Sequence, residues 1–139
     1  MASKQAWFCV DENLPHYLAH HLRWVYRDCE FKSTDNLGLT NLDDVELFSA
    51  LSQRGFAAIL STDAQQLQLR DPAERRALRD SGLHWIGVVQ HQEPNRIGVA
   101  RQCGTMTMGV GKVLLAWSST PSIYWVSTSP GRIEGPEPL

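Results

Sequence analysis

The stretch Trp7-Phe8-Cys9-Val10-Asp11-Glu12-Asn13-Leu14-Pro15 decides how this chain is organised. Its first four residues are apolar, and a run of this length predicts a buried strand. Pro15 favours the first turn of a helix, where the missing backbone N–H of proline would have no partner in any case. Asp11 and Glu12 therefore lie where a strand ends and a helix begins, the edge at which open α/β sheets bind ligands. An acidic pair there is a natural first half of a divalent-metal site.

The rest of the chain alternates between helix and strand patterns. Helices are predicted over about 14–27, capped by Asn13, and then from about Asp43 to Gly55, from Asp71 to Gly82, and in part of the segment after Pro94. Strands are predicted around 30–32, 56–60, 85–89 and 122–127, and 36–39 is predicted to be a loop. This alternation predicts an α/β protein with three α/β/α layers and a mostly parallel central sheet.

The length of 139 residues suits one domain with one hydrophobic core, and we expect it to span residues 1–128. Residues 129–139 contain three prolines and two glycines, so they are predicted to form a disordered tail.

Composition and charge narrow the functional classes. Apolar residues make up 42% of the chain and charged residues 20%, which is ordinary for a globular protein. The net charge of −2 creates no overall attraction for nucleic acid, so any such binding must be local or aided by a metal. The apolar runs are too short to span a bilayer, and no signal peptide is visible after Met1. Three cysteines without CxxC spacing suit a reducing compartment, so we expect a cytoplasmic protein that does not contact a membrane.

Acidic residues recur at three predicted element edges. Asp11 follows the first strand, Asp43, Asp44 and Glu46 begin a helix, and Asp63 follows a later strand. Each alone is more often structural, because aspartate commonly caps helices and starts turns. Their joint placement favours a site, because parallel strands bring their carboxyl ends to one edge. Hard oxygen ligands of this kind suit Mg²⁺ or Mn²⁺. The sequence leaves open whether Asp43 or Asp44 is the second acid.

Three motifs carry a family resemblance. They are Phe8 to Pro15, containing D-E-N-L-P; Gly38-Leu39 followed by Asp44-Val45-Glu46-Leu47; and Ile59-Leu60-Ser61-Thr62-Asp63. Together they resemble the PIN-like domain proteins, in particular the D-E-N-L-P class and the VapC-type toxins. The resemblance covers roughly residues 7 to 90. The first motif is fairly specific, whereas the other two are short.

The resemblance implies a metal-dependent ribonuclease, and a toxin of a type II toxin–antitoxin pair. By position, Asp11, Asp44 and Asp63 would be catalytic and would bind Mg²⁺ or Mn²⁺, with Glu46 as a further metal ligand. Asn13 and Ser61 would be polar supports. The implied partners are an RNA substrate and an antitoxin protein, and a homodimer is one alternative for the assembly.

The sequence departs from the family pattern after the third acid. Gln65 and Gln66 stand where a further aspartate and a phenylalanine are common. A non-catalytic PIN-like binding protein with a degraded acidic site is therefore the alternative. A third class, a phosphatase-like or response-regulator-like protein, expects a lysine at a strand end. Lys112 is the only candidate for that lysine, and it ends no clear strand.

Other candidate groups favour structural roles. His16 and His20 have the i,i+4 spacing of a zinc pair, but no third ligand is obvious, so surface histidines are the favoured interpretation. Arginines are candidates for RNA phosphate contacts, and most tryptophans fall in apolar runs that indicate core packing rather than base stacking. The arginines are Arg23, Arg27, Arg70, Arg75, Arg76 and Arg79.

Overall fold

The computed structural model describes residues 6–15, 17–62, 72–88, 95–127 and 131–139. Its strands are β1 (Ala6–Val10), β2 (Cys29–Ser33), β3 (Ala58–Ser61), β4 (His84–Val88), β5 (Ser122–Val126) and β6 (Ile133–Pro138). Its helices are α1 (Leu18–Val25), α2 (Thr34–Leu37), α3 (Asp44–Gln53), α4 (Pro72–Asp80) and α5 (Asn95–Leu115). Within the described ranges, no helix has both the length and the apolar character needed to cross a membrane.

The six strands form one sheet in the order β2-β1-β3-β4-β5-β6. The first five are parallel, and β6 pairs antiparallel with β5. In the β1–β3 register Val10 lies opposite Leu60, and the ladder continues as the Asp11 backbone N–H donates to the Leu60 carbonyl at 2.9 Å. The carboxyl ends of β1 and β3 therefore meet side by side.

Side chains that alternate along the strands separate two hydrophobic cores. Phe8 and Val10 of β1 pack with α1 and α5 on one face of the sheet. Cys9, between them, packs on the other face with Leu47 of α3 and Leu78 of α4. This arrangement confirms the predicted α/β/α layers. It also places α3 on the face of the sheet toward which Cys9 points.

Helix α5 is continuous over 21 residues, although its glycines predicted only partial helix. Gly109 explains the difference, because a Cβ atom there would lie 2.3 Å from Cγ1 of Val126. The glycine thus permits close packing of α5 against β5, and this packing outweighs the intrinsic helix cost of glycine.

The first helix is shorter than predicted. It begins at Leu18, and its N-cap position is Tyr17 rather than Asn13. Residues 11–14 form a turn instead, in which the Leu14 N–H donates to the Asp11 carbonyl at 3.1 Å. The side chain of Asn13 is engaged with β3, as described below, so it is not placed to cap α1.

Two segments predicted to be irregular are ordered. The predicted loop at 36–39 overlaps α2, which Ser33 caps by accepting from the Asn36 N–H and which ends at Gly38 in the left-handed region. The segment predicted to be a disordered tail instead contains β6, whose residues 133–138 extend the sheet. Its prolines are compatible with a strand because β6 lies at the sheet edge, where missing N–H donors disrupt no further ladder.

Candidate functional site

The strand order places a topological switch point beside the end of β1. The connection from β1 to β2 contains α1, on one face of the sheet, whereas the connection from β2 to β3 contains α3, on the other face. Chain direction across the sheet thus reverses at β1, which lies between β2 and β3. In open α/β sheets, such a switch point at the carboxyl ends of the strands is the usual ligand-binding crevice.

Asp11 occupies this position and is buried, with 7% of its surface exposed. Its Oδ1 accepts a hydrogen bond from the Glu12 backbone N–H at 2.8 Å, and its Oδ2 accepts from the Ser61 hydroxyl at 3.0 Å. A buried carboxylate is costly unless hydrogen bonds replace its hydration. The donors from β3 and from the turn after β1 meet this requirement.

Asn13 joins the same network from the turn after β1. Its Nδ2 lies 3.4 Å from both Oδ2 of Asp11 and Oγ of Ser61, and its Oδ1 accepts from the Thr62 backbone N–H at 3.2 Å. One side chain therefore connects the ends of β1 and β3. Asn13 and Ser61 lie beside Asp11, where the sequence motifs predicted polar supports.

The direction in which Asp11 faces follows from Ser61. Side chains alternate along β3, so Ser61 lies on the same face as Ile59, which packs in the α3 layer, and its hydrogen bond to Oδ2 of Asp11 puts the carboxylate on that side. Burial raises the pKa of the nearby Cys9 thiol to about 12, and the negative charge of Asp11 adds to the effect. The charge of Asp11 thus lies toward the layer that contains α3.

The acidic start of α3 lies at the same edge, because a helix that connects parallel strands begins where the preceding strand ends. Asp43 is the N-cap, and its Oδ1 accepts from the Glu46 backbone N–H at 2.8 Å. Glu46 is exposed; a hydrogen bond with the Asp43 side chain raises its pKa, and the charge of Asp43 adds to this. Asp44 is the first helical residue and is half-buried.

Comparison with family models decides the family. The model described as "PIN like domain" matches residues 7–89, well over half of the chain. The chain belongs to the PIN-like domain family. These domains form a superfamily of nucleases that often occur in toxin–antitoxin systems. Comparison with curated proteins and with solved structures gives no match.

Several site residues predicted for this PIN-like domain lie outside the described ranges. These are Asp63, the third predicted ligand, and Gln65 and Gln66, which replace the expected acid and aromatic residue. Among the described residues, no three histidine, cysteine, aspartate or glutamate side chains are grouped so as to hold a metal ion. The structure brings Asp11 together with Asn13 and Ser61, and it places Asp44 and Glu46 in the helix that begins at that edge.

The exposure of two tryptophans differs from the core packing that the sequence predicted for most of them. Trp85 is fully buried, as predicted, but Trp24 is 62% exposed and Trp7 is also exposed. The guanidinium of Arg27 lies 5.0 Å from the centre of the Trp24 ring. The spacing of these two residues, three apart in a segment predicted to be helical, was the available signal for a shared surface, although Arg27 lies in the turn after α1. His20 is exposed, which confirms its predicted surface position, whereas His16 lies outside the described residues.

Proposed function

We propose that this PIN-like domain is a metal-dependent endoribonuclease and the toxin of a type II toxin–antitoxin pair. The observation that carries the proposal is the buried Asp11 carboxylate, which Ser61 contacts at 3.0 Å at the switch point of the sheet. Hydrogen bonds offset the cost of burying this charge, and they hold the carboxylate in one orientation at the ligand-binding edge of the sheet. The family indicates the class of function, because PIN-like domains are nucleases.

The donor set fits a hard divalent cation. Asp11, Asp44 and Asp63 would hold Mg²⁺ or Mn²⁺, with Glu46 as a further ligand, and all supply the carboxylate oxygens that these ions prefer. The ion would activate water and stabilise charge on the phosphodiester. Ser61 and Asn13 would orient the Asp11 carboxylate, as residues behind a metal ligand commonly do.

The alternative is a PIN-like domain that binds without cleaving. Gln65 and Gln66 support it, because an amide brings no charge to a position where the family commonly has a carboxylate. The phosphatase-like or response-regulator-like interpretation loses its candidate lysine, because Lys112 lies in the last turn of α5 rather than at a strand end.

The toxin proposal implies an antitoxin that covers the acidic edge. An arginine from such a partner would form bidentate, charge-assisted hydrogen bonds with carboxylates there and would compete with the metal. Co-purification with the product of an adjacent gene tests this. The complex should weaken when Asp11, Asp44 and Asp63 are all changed to Asn. A homodimer stays a prediction, and the elution volume of the purified protein would show it.

The test of the nuclease proposal compares two aspartate substitutions. Asp11→Asn removes the buried charge, and Asp80→Asn is the matched control, since Asp80 is exposed on α4 and pairs with Arg79 at 3.4 Å. Calorimetric titration with MnCl₂ should show binding by the wild type and by Asp80→Asn but none by Asp11→Asn. RNA cleavage with Mn²⁺ should follow the same pattern.

Two results would contradict the proposal. Wild-type metal affinity in Asp11→Asn would exclude Asp11 as a ligand. Neither metal binding nor cleavage by the wild type, with none gained in Gln65→Asp, would favour the non-catalytic alternative.

A further inference from the structure

The outer face of α1 carries aromatic and basic side chains that the proposed metal site does not use. Tyr17, His20, Trp24 and Arg27 are spaced three or four residues apart, and Arg23 lies beside them; we name these five residues the α1 strip. Tyr17 is 76% exposed and Trp24 is 62% exposed. Exposed apolar side chains that lie together among polar and charged residues mark interaction surfaces, and the strip has this composition.

Two adjoining cavities run along the α1 strip. One, of about 380 Å³, is lined by His20, Arg23, Trp24 and Arg27. The other, of about 480 Å³, extends from Tyr17, His20 and Arg23 to residues 33–36 at the end of β2 and in α2. Because His20 and Arg23 line both, the cavities form one open groove. This groove follows α1 from the carboxyl edge of the sheet toward the opposite edge.

The chemistry of the α1 strip suits single-stranded nucleic acid. The Arg27 guanidinium and the Trp24 indole lie 5.0 Å apart, and both groups can stack on nucleobases. The Nη1 of Arg23 lies 3.4 Å from Oε1 of Glu30, and its Nη2 lies 3.4 Å from Nδ1 of His20. The Nε of Arg23 is buried and has no hydrogen-bond partner among the described residues, so it does not face the groove. Arginine has five N–H donors, and the second N–H of each Nη is left for a phosphate contact.

Charge favours a nucleic acid over a protein as the occupant. The chain as a whole has a net charge of −2, yet the described residues that line the cavity beside Trp24 are two arginines, a histidine and the tryptophan, with neither an acid nor an aliphatic side chain among them. Asp35 lines the adjoining cavity, and Arg23 pairs with Glu30. The positive charge is thus concentrated at the Trp24 and Arg27 end of the groove. A polyanion with exposed planar bases therefore matches this surface better than a protein helix does.

We propose that the α1 strip is a docking surface for single-stranded RNA, which it holds by stacking and phosphate contacts beside the acidic edge. The choice of RNA rests on the proposed nuclease function, whereas the surface itself does not. Tyr17 follows Asp11 by only six residues, and α1 begins at the edge where Asp11 lies. Because Asp11 faces the α3 layer and α1 packs on the opposite face of the sheet, an RNA strand that runs from the acidic edge to the strip would pass over the end of β1.

The test measures RNA binding in EDTA, so that neither metal nor cleavage is required. Fluorescence anisotropy of a labelled single-stranded RNA of mixed sequence would be followed for the wild type and for Trp24→Ala. Loss of one stacking platform should weaken binding by about 5- to 150-fold. Trp24→Phe should retain much of the affinity, because it keeps an aromatic plane. Trp24 is mainly exposed, so these variants should fold, and circular dichroism would check this.

Arg27→Gln tests the electrostatic contribution. The slope of log affinity against log salt should become shallower by about 0.7 when one phosphate contact to a single strand is lost. Arg132→Gln is the matched control, an exposed arginine beside β6 at the far edge of the sheet, and it should bind RNA as the wild type does. A duplex of the same sequence should bind more weakly than the single strand, because its bases are already stacked.

The outcomes separate this proposal from the nuclease proposal. RNA binding that depends on Trp24 and Arg27 would support the α1 strip even if the protein neither bound metal nor cleaved RNA. Equal affinity of wild type, Trp24→Ala and Arg27→Gln would overturn it, whatever the cleavage assay showed. A protein partner that requires Trp24 while RNA affinity does not would also overturn it.

Discussion

The carboxyl edge and the amino edge of the sheet both bury polar side chains, but the hydrogen-bond partners of these side chains differ. At the carboxyl edge, Oδ2 of Asp11 accepts from the side chain of Ser61 on a neighbouring strand. At the amino edge, Nδ1 of His84 accepts from the Ser122 backbone N–H at 3.3 Å, and the Tyr124 hydroxyl accepts from the Ser118 backbone N–H at 2.8 Å. One edge thus buries a formal charge, and the other buries neutral groups that pair with the backbone.

This difference separates a candidate site from a structural cluster. Neutral groups that pair with the backbone stabilise the fold at little cost in desolvation. The His84 ring also packs 4.0 Å from the Trp117 ring, centre to centre, and 5.9 Å from the Tyr124 ring. A buried carboxylate, in contrast, costs more to desolvate and is held by side chains that a ligand can rearrange. We therefore expect substitutions at the carboxyl edge to affect function most, and those at the amino edge to affect stability most.

The largest expected effect is the loss of RNA cleavage in Asp11→Asn. If Asp11 binds the metal as proposed, the rate with Mn²⁺ should fall about 10²- to 10³-fold, the size of effect seen when one preorganised electrostatic contact is removed. Stability should change by only about 1 kcal/mol, because the amide keeps one oxygen that accepts hydrogen bonds. Cleavage rates and urea unfolding would be measured together. A stability loss of several kcal/mol would instead make Asp11 a structural residue.

The next effect is the loss of stability in His84→Ala. This substitution removes a buried ring against Trp117 and leaves the Ser122 N–H without its acceptor, which together should cost about 2 to 4 kcal/mol. Cleavage, measured at a temperature where the variant is folded, should match that of the wild type. A variant as stable as the wild type would show that the amino edge does not hold the sheet together.

Hydrophobic patterning predicted the buried strands of the sheet. Apolar runs such as Phe8 to Val10 and Trp85 to Val88 form strands because helices cover both faces of the sheet, and such strands are apolar along their whole length. The start of α1 was mispredicted because Asn13 has two uses, as a helix cap and as a connection to β3. Strand β6 was missed because its pairing with β5 is supplied by the backbone rather than by an apolar pattern.

The candidate site was predictable only in part. The motifs identified Asp11, Asn13 and Ser61, and the structure brings these three together. The choice between Asp43 and Asp44 depends on which residue caps α3, and one residue of uncertainty in the helix start reverses the assignment. The exposure of Trp24 could not be read from an apolar run, because α1 buries only the opposite side of the helix.

A smaller effect is a pH dependence of stability, which we expect to arise at the amino edge. Burial lowers the pKa of His84 to about 4 from an ordinary 6.5. Between these values the unfolded chain binds a proton at this position and the folded protein does not, so stability is complete above pH 6.5 and is lost as pH falls toward 4. The loss should be about 1 to 3 kcal/mol. His84→Gln, which cannot titrate, should show a shallower dependence in urea unfolding over this range. An unchanged dependence would assign it to other groups.

The smallest effect comes from a matched pair of buried serines, one at each edge. Ser61 donates to Asp11, and Ser122 donates to the Thr120 carbonyl at 2.8 Å, so alanine at either position should cost about 0.5 to 1.5 kcal/mol in stability. Only Ser61→Ala should also weaken Mn²⁺ binding, by about tenfold, because it alone removes a group that orients a proposed ligand. Calorimetric titration of both variants would decide. Equal metal affinity in the two would mean that the Ser61 hydroxyl supports the fold, as Ser122 does, and the proposed functional difference between the edges would then rest on Asp11 alone.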